Sequence, residues 1–224
     1  NSHVNLTDTL MGEGWYWAAW IVWLPLFAHA LWWAPWGRLK ETELLNVWLG
    51  MIVLLTLLWS LKAGVRPGLN FHLLGATVFT LSFGPLLAFI GLSLVTLGIT
   101  LNGDAGIFAY AANALLLAGL SVALSQVFFR ILCGVLPKHF FVYIFVNGFL
   151  GAALTIIGVG FAATLLLAMA GAYEWDYLIS EYFPYFLLLA FSEAWLSGML
   201  MTLFVVYRPE WVVSFDDSIY LTGK

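Results

Sequence analysis

The chain has 224 residues, of which 63% are hydrophobic and 9% are charged. Soluble domains carry about 25% charged residues, so this composition excludes an ordinary soluble globular protein. The net charge is −4 and the sequence contains no run of basic residues, so we expect membrane lipid and no nucleic acid among the partners. The single cysteine, Cys133, excludes a disulfide framework.

The predicted elements are apolar windows long enough to cross a bilayer, which takes about 20 residues in a helix. In chain order these windows are 15–33, 44–61, two short helices within 71–101, 107–131, 140–171 and 184–207. The window 71–101 is divided at Gly84-Pro85, because proline removes a helix hydrogen bond and clashes with the preceding turn. The expected fold class is therefore an all-α integral membrane protein with about seven transmembrane helices.

The windows form one domain. We expect an N-terminal segment at 1–14, a single transmembrane helical domain at 15–211 and a cytoplasmic tail at 212–224. The orientation follows from the excess of Lys and Arg in inner loops. With the N-terminus outside, the outer loops hold only Lys62 and Arg66, whereas the inner side holds six cations, Arg38, Lys40, Arg130, Lys138, Arg208 and Lys224. The prediction is an N-terminus outside and a C-terminus inside.

His72 is the strongest candidate for a functional residue. Residues 71–103 contain no Asp, Glu, Lys or Arg, and His72 stands at the head of this stretch. An ionisable residue in a membrane segment is a functional candidate, and neutral imidazole is a common ligand of divalent transition metals. The alternative is a histidine that hydrogen-bonds a carbonyl and fixes the start of a helix. Position alone leaves both interpretations open.

Three further polar residues lie inside predicted spans. Glu193 must be protonated, paired or turned toward a polar cavity at that depth, and we predict a buried brace rather than a metal ligand. Replacement by glutamine is expected to keep most of its function. Asn113 and Asn147 are explained as hydrogen-bonding groups between helices.

The N-terminus allows two interpretations. The amine of Asn1, the amides of Ser2 and His3 and the His3 imidazole can hold Cu(II) or Ni(II) in a square plane. A Ser-His pair before a start-like position is also what a cleaved purification tag leaves, with Val4 as the native first residue. We favour the second interpretation, because residues that a purification tag leaves behind do not belong to the native protein and carry no information about its fold.

Motifs of enzymes are missing from the sequence. It contains no G-x-x-x-x-G-K-[ST], no H-E-x-x-H, no nucleophile elbow and no pair of catalytic carboxylates. We therefore expect that the chain is not an enzyme and does not hydrolyse ATP itself.

Three blocks of the chain, in order, resemble a known family. They are Phe71-His72-Leu73-Leu74-Gly75-Ala76 with Gly84-Pro85, Gly103-Asp104 with Ala111-Ala112-Asn113, and Phe191-Ser192-Glu193-Ala194 with Arg208-Pro209-Glu210. They are similar to the G-H-L-L-G-A…G-P block, the loop with its G-A-N helix, and the G-x-G-E-[GA] helix with its R-P-[DE] tail of that family. The family is the substrate-binding membrane component of cobalt/nickel energy-coupling-factor ABC transporters, the CbiM/NikM type.

The resemblance implies a function and a site. A family member captures a transition-metal ion outside the bacterial inner membrane, and separate transmembrane coupling and ATPase subunits supply the energy. It holds no permanent cofactor, and Ni(II), Co(II) or Cu(II) is expected as the bound or transported ion. Contact with the partners is expected on faces of small residues, such as Ala18-Ala19 or the stretch Gly148–Gly158.

The family binds its ion through the N-terminal amine, the histidine of a Met-His-Ile-x-[DE]-Gly start and the histidine of H-L-L-G. His72 matches the last of these. At the start the chain departs from the motif, because Asn5 aligns with the ligand histidine and Thr9 with the glycine, while Asp8 is kept. The resemblance therefore implies either a metal-uptake component or, as the alternative, a divergent member without a working metal site that serves as a structural or assembly subunit.

Overall fold

The computed structural model describes residues 12–61, 63–64, 70–71, 74–102 and 106–215, with only the backbone described at 63–64 and 70–71. Seven helical segments occur in this part of the chain. They are α1 Glu13–Trp33, α2 Thr42–Ser60, α3 Ala76–Phe83, α4 Pro85–Leu101, α5 Tyr110–Val135, α6 Phe140–Met169 and α7 Trp175–Tyr207. The predicted all-α membrane fold with about seven helices is confirmed.

Four of these helices, α2, α5, α6 and α7, are long and apolar enough to cross a membrane. The helix α4 is apolar but shorter, and α1 has 21 residues, which is the length of a span. Short 3₁₀ helices follow α1 at Trp36–Lys40 and α7 at Pro209–Trp211. The orientation of the two termini stays a prediction.

Two helices contain wider π-helical turns, at Ala114–Leu120 within α5 and at Tyr143–Leu150 within α6. The helix α7 consists of two pieces, Trp175–Glu181 and Phe183–Tyr207. The second piece carries Pro184 in its first turn, where the missing N–H of proline costs no hydrogen bond. The described part of α7 thus begins earlier than the predicted span 184–207.

The predicted division at Gly84-Pro85 is confirmed. Gly84 has φ 84° and ψ 169°, a conformation that favours glycine, and Pro85 is the first residue of α4. The start of the same predicted window differs, because α3 begins only at Ala76. Before it, a two-residue strand β1, Ala63–Gly64, pairs antiparallel with β2, Asn70–Phe71. Strands this short carry no alternating pattern that the sequence could reveal.

The short helix α3 occupies the centre of the bundle. All eight of its residues are buried, and it contacts α4, α5, α6 and α7. The core at this point includes Phe79 and Phe83 of α3 and Leu87 of α4, which are almost completely shielded from solvent. Close packing elsewhere uses small residues: a Cβ built on Gly148 would lie 3.5 Å from the Cα of Gly198. The Gly148 face is therefore used between α6 and α7, inside the chain, rather than left for a partner.

The carbonyl end of α3 is capped by the segment that follows α7. The backbone N–H of Val213 donates to the carbonyl of Ser82 at 2.9 Å, and that of Ser214 donates to Leu81 at 3.1 Å. The Ser214 hydroxyl also lies 2.7 Å from the Leu81 carbonyl and 2.6 Å from the Tyr143 hydroxyl. The guanidinium of Arg38 donates to the Ser82 carbonyl at 3.2 Å. These bonds satisfy carbonyls that no helical partner would reach.

We expect Ser214→Ala to lower the free energy of unfolding by about 1 kcal/mol, because it removes one hydroxyl that bonds two buried groups. Thiol labelling of the single cysteine, Cys133, during a thermal ramp in detergent measures the change. Thr202→Ala is the matched control, since among the described residues the Thr202 hydroxyl bonds only the carbonyl one turn earlier in its own helix, at 2.7 Å. Equal effects of the two substitutions would contradict a special role of the cap at Ser214.

Candidate functional site

The entry into α3 is held by a buried carboxylate from α7. One oxygen of Glu193 accepts a hydrogen bond from the backbone N–H of Leu74 at 3.0 Å, and the other accepts from the N–H of Gly75 at 2.7 Å. The Glu193 side chain is 1% exposed. Both donors are backbone groups at a helix start, where N–H groups lack helical partners and anions are favoured. Glu193 thereby fixes the backbone two residues after His72 in the chain.

The same short connection is bound from α2. The indole N–H of Trp59, which is 1% exposed, donates to the carbonyl of Leu74 at 3.0 Å. Gly75 has φ 68°, in the left-handed region, and a Cβ at this position would collide with a methyl group of Leu55. Glycine is therefore favoured at residue 75 by the backbone conformation, and any side chain there would also require the terminal methyl of Leu55, in α2, to move.

Hydroxyl groups continue this polar region below the start of α3. The Thr77 hydroxyl lies 3.1 Å from that of Ser125, and Ser125 lies 3.2 Å from the hydroxyl of Thr155. All three are buried, and they link α3, α5 and α6. This network could not be predicted from the sequence, because single Ser and Thr residues are common in apolar spans and nothing in their spacing singles out these three.

Several of the predicted site residues lie outside the described residues. These are His72 and the N-terminal residues Asn1, Ser2, His3, Asn5 and Asp8. Within the ranges that the structure describes, no group of three or more His, Cys, Asp or Glu side chains could hold a metal ion. The metal ligands proposed from the sequence therefore stay predictions.

The two asparagines lie in separate places. Asn113 is completely buried near the start of α5, directly before its π-helical turn. Asn147 lies in the π-helical turn of α6, 5% exposed, with its amide nitrogen 3.9 Å from the sulfur of Cys133 in α5. This contact joins two helices. Asn147 thus contacts the end of α5 and does not take part in the site at Leu74-Gly75.

The described side chains of this site position the backbone at the start of α3. Glu193 and Trp59 between them bind both the N–H and the C=O of Leu74, and Glu193 also binds the N–H of Gly75. The helix α7 reaches further along the same segment, because it also contacts β2, which ends at Phe71. Phe71 and Leu74, which lie on either side of His72 in the sequence, thus both belong to segments that contact α7.

The chain resembles known proteins both in sequence and in fold. The sequence profile described as cobalt uptake substrate-specific transmembrane region, CbiM, matches residues 5–211. No curated protein sequence matches the chain. Among solved structures, one described as a truncated transition metal transporter superposes with a TM-score of 0.76 at 18% identity, covering 90% of this chain and 98% of that one. A second, described as a transition metal transporter, gives a TM-score of 0.74 at 17% identity over 89% of this chain and 91% of that one. At these identities the structural likeness shows a shared fold.

Proposed function

The chain belongs to the cobalt uptake substrate-specific transmembrane family, and from that premise we propose that it captures a transition-metal ion for separate energy-coupling subunits. It is a multi-pass membrane component of a metal-uptake transporter. Cobalt or nickel is the proposed substrate, and the bacterial inner membrane, with the N-terminus outside, is the proposed location. An ATPase and a transmembrane coupling protein would supply the energy, since the sequence contains no phosphate-binding loop.

The observation that carries the proposal is the pair of hydrogen bonds from Leu74 and Gly75 to Glu193. A metal ligand binds well only when its backbone is already positioned, because ordering it on binding would cost conformational entropy. His72 lies two residues before a connection that is fixed from α2 and α7. This arrangement supports a role for the segment in ligand binding beyond that of an ordinary buried turn.

One imidazole does not hold a divalent ion tightly, so further ligands are needed. If His3 is native, its imidazole, the amine of Asn1 and the amide of Ser2 are the proposed additional ligands. If the chain begins at Val4, Asn5 stands where the family has histidine and is a poor ligand. We expect tight binding only with the longer N-terminus, and weak or no binding without it.

Calorimetry with Ni(II) and Co(II) tests this on two forms of the protein, one beginning at residue 1 and one at residue 4. His72→Ala should abolish any tight binding, while His29→Ala, at an exposed position in α1, should leave it unchanged. Tight binding by the shorter form that depends on His72 would refute our account of Asn5. Absence of binding in both forms would favour the alternative, a structural or assembly subunit without a metal site.

A further inference from the structure

An apolar groove of about 470 Å³ runs along the outside of the bundle between α2 and α7. Its walls include Gly50, Leu54 and Leu58 of α2 and Leu196, Leu200 and Phe204 of α7. Its floor is formed by Gly75 and Val78, at the start of α3. The volume falls within the range of about 300–1,000 Å³ that is usual for ligand sites.

The position of the groove, between two helices that can cross a membrane, favours a hydrocarbon chain as its occupant. Both walls belong to helices that are long and apolar enough to cross a membrane. A lipid chain gains little from apolar burial alone there, because it leaves an equally apolar surrounding and only packing distinguishes the groove from bulk lipid. Selective binding therefore requires polar contacts at one end of the groove.

Such contacts are present where Trp211 closes the groove. The indole N–H of Trp211 donates to the carboxylate of Glu43 at 3.2 Å. The guanidinium of Arg208 lies 3.7 Å from Glu43, 3.4 Å from Glu210 and 5.9 Å from the centre of the Trp211 ring. The charged side chains of Arg208, Glu43 and Glu210 are 52–55% exposed, so they are accessible to a further ligand.

The charges of this cluster select a type of headgroup. Two carboxylates surround the Arg208 guanidinium, and a second guanidinium, that of Arg38, donates to the backbone carbonyl of Glu210 at 3.2 Å. With the neighbouring Lys40 and Glu41, three cations and three carboxylates leave the cluster neutral. A neutral cluster of paired charges complements a headgroup that is itself zwitterionic, which can place its phosphate on Arg208 and an ammonium N–H on Glu43 or Glu210, whereas an anionic headgroup has no cation for the carboxylates. A quaternary ammonium has no N–H to donate to a carboxylate.

We propose that the groove between α2 and α7 binds one phosphatidylethanolamine molecule, with an acyl chain against Leu54 and Leu200 and the headgroup between Arg208, Glu43 and Glu210. The groove supplies packing for the chain, and the cluster supplies the preference for a primary ammonium over a quaternary one. This proposal does not depend on the proposed transport function.

Native mass spectrometry of the full chain, equilibrated in detergent with equal amounts of phosphatidylethanolamine, phosphatidylcholine and phosphatidylglycerol, tests the proposal. We expect phosphatidylethanolamine to be retained about fivefold over the other two lipids, the factor that one exposed ion pair can contribute. The double substitution Glu43→Gln with Glu210→Gln should abolish this preference, while Glu43 as glutamine still accepts from Trp211. Glu174→Gln, at an exposed carboxylate elsewhere, is the control and should change nothing.

A second variant tests the groove itself. Gly50→Phe should narrow it and lower retention of all three lipids, since Gly50 lines the groove and a Cβ there meets no atom of the described residues within 4 Å. Gly134→Phe is the matched control, because Gly134 is equally unobstructed but lies outside the groove, near the end of α5. Equal retention of the three lipids by the unaltered chain, or an unchanged preference after the double substitution, would overturn the proposal. A change in the number of protein copies on Gly50→Phe, with lipid retention unchanged, would assign the groove to a second copy instead.

Discussion

Replacing Glu193 with leucine should lower the free energy of unfolding by about 2–6 kcal/mol, because the N–H groups of Leu74 and Gly75 would each remain buried without an acceptor. Replacing it with glutamine should cost about 1–3 kcal/mol. Glutamine offers one acceptor oxygen, and its NH₂ group would face the second N–H. The expectation that glutamine preserves most of the function is therefore revised, because both partners of Glu193 turn out to be donors.

Thermal unfolding followed by labelling of Cys133 gives the stability of both variants, and calorimetry on the glutamine variant gives its metal affinity. Ser197→Ala is the matched control. Ser197 lies one turn further along α7, is fully buried, and its hydroxyl has no hydrogen-bond partner among the described residues. Its loss should change little. If Glu193→Gln were as stable as the unaltered chain and bound metal equally well, Glu193 would have no positioning role.

Gly75→Ala should produce the second large effect, a loss of about 2 kcal/mol of stability. The left-handed backbone conformation costs an alanine about 1 kcal/mol. Its Cβ also requires the terminal methyl of Leu55, the far end of a flexible side chain, to move, which adds about 1 kcal/mol. Any part of the collision that Leu55 does not relieve moves Gly75 away from Glu193, so we also expect weaker metal binding.

Gly171→Ala separates the two contributions. Gly171 has φ 71°, close to that of Gly75, but a Cβ there would meet no atom of the described residues within 4 Å. It should therefore show only the backbone cost of about 1 kcal/mol. Unfolding midpoints of the two variants in the same detergent give the comparison. Equal losses would mean that the contact with Leu55 adjusts freely and that Gly75 is needed only for its conformation.

The sequence was most informative where one residue type has one physical consequence. Charge-free windows predicted the helices, and Gly84-Pro85 predicted the division between α3 and α4, because proline acts on its own local backbone. The start of α3 was placed too early, since the pairing of Phe71 with Ala63 has no local signature. The depth of Glu193 in an apolar span marked it as important without indicating its partner.

The partners of Glu193 could not be predicted for a different reason. They are backbone N–H groups, which every residue except proline carries, and they lie 118 and 119 residues away in the chain. The network of Thr77, Ser125 and Thr155 presents the same difficulty, because its members come from three helices. Such contacts follow from the packing of the helices and become visible only when the fold is known.

The attachment of α3 at both ends has a mechanical consequence. Eight helical residues span about 12 Å, and α3 is bound to Glu193 before its first turn and to Val213 and Ser214 after its last. All eight residues of α3 are buried among close-packed neighbours, so we expect the helix to move as a rigid unit rather than to bend. A shift of Leu74-Gly75 along the axis of α3 should therefore also move the segment after α7, which is hydrogen-bonded to the other end of α3.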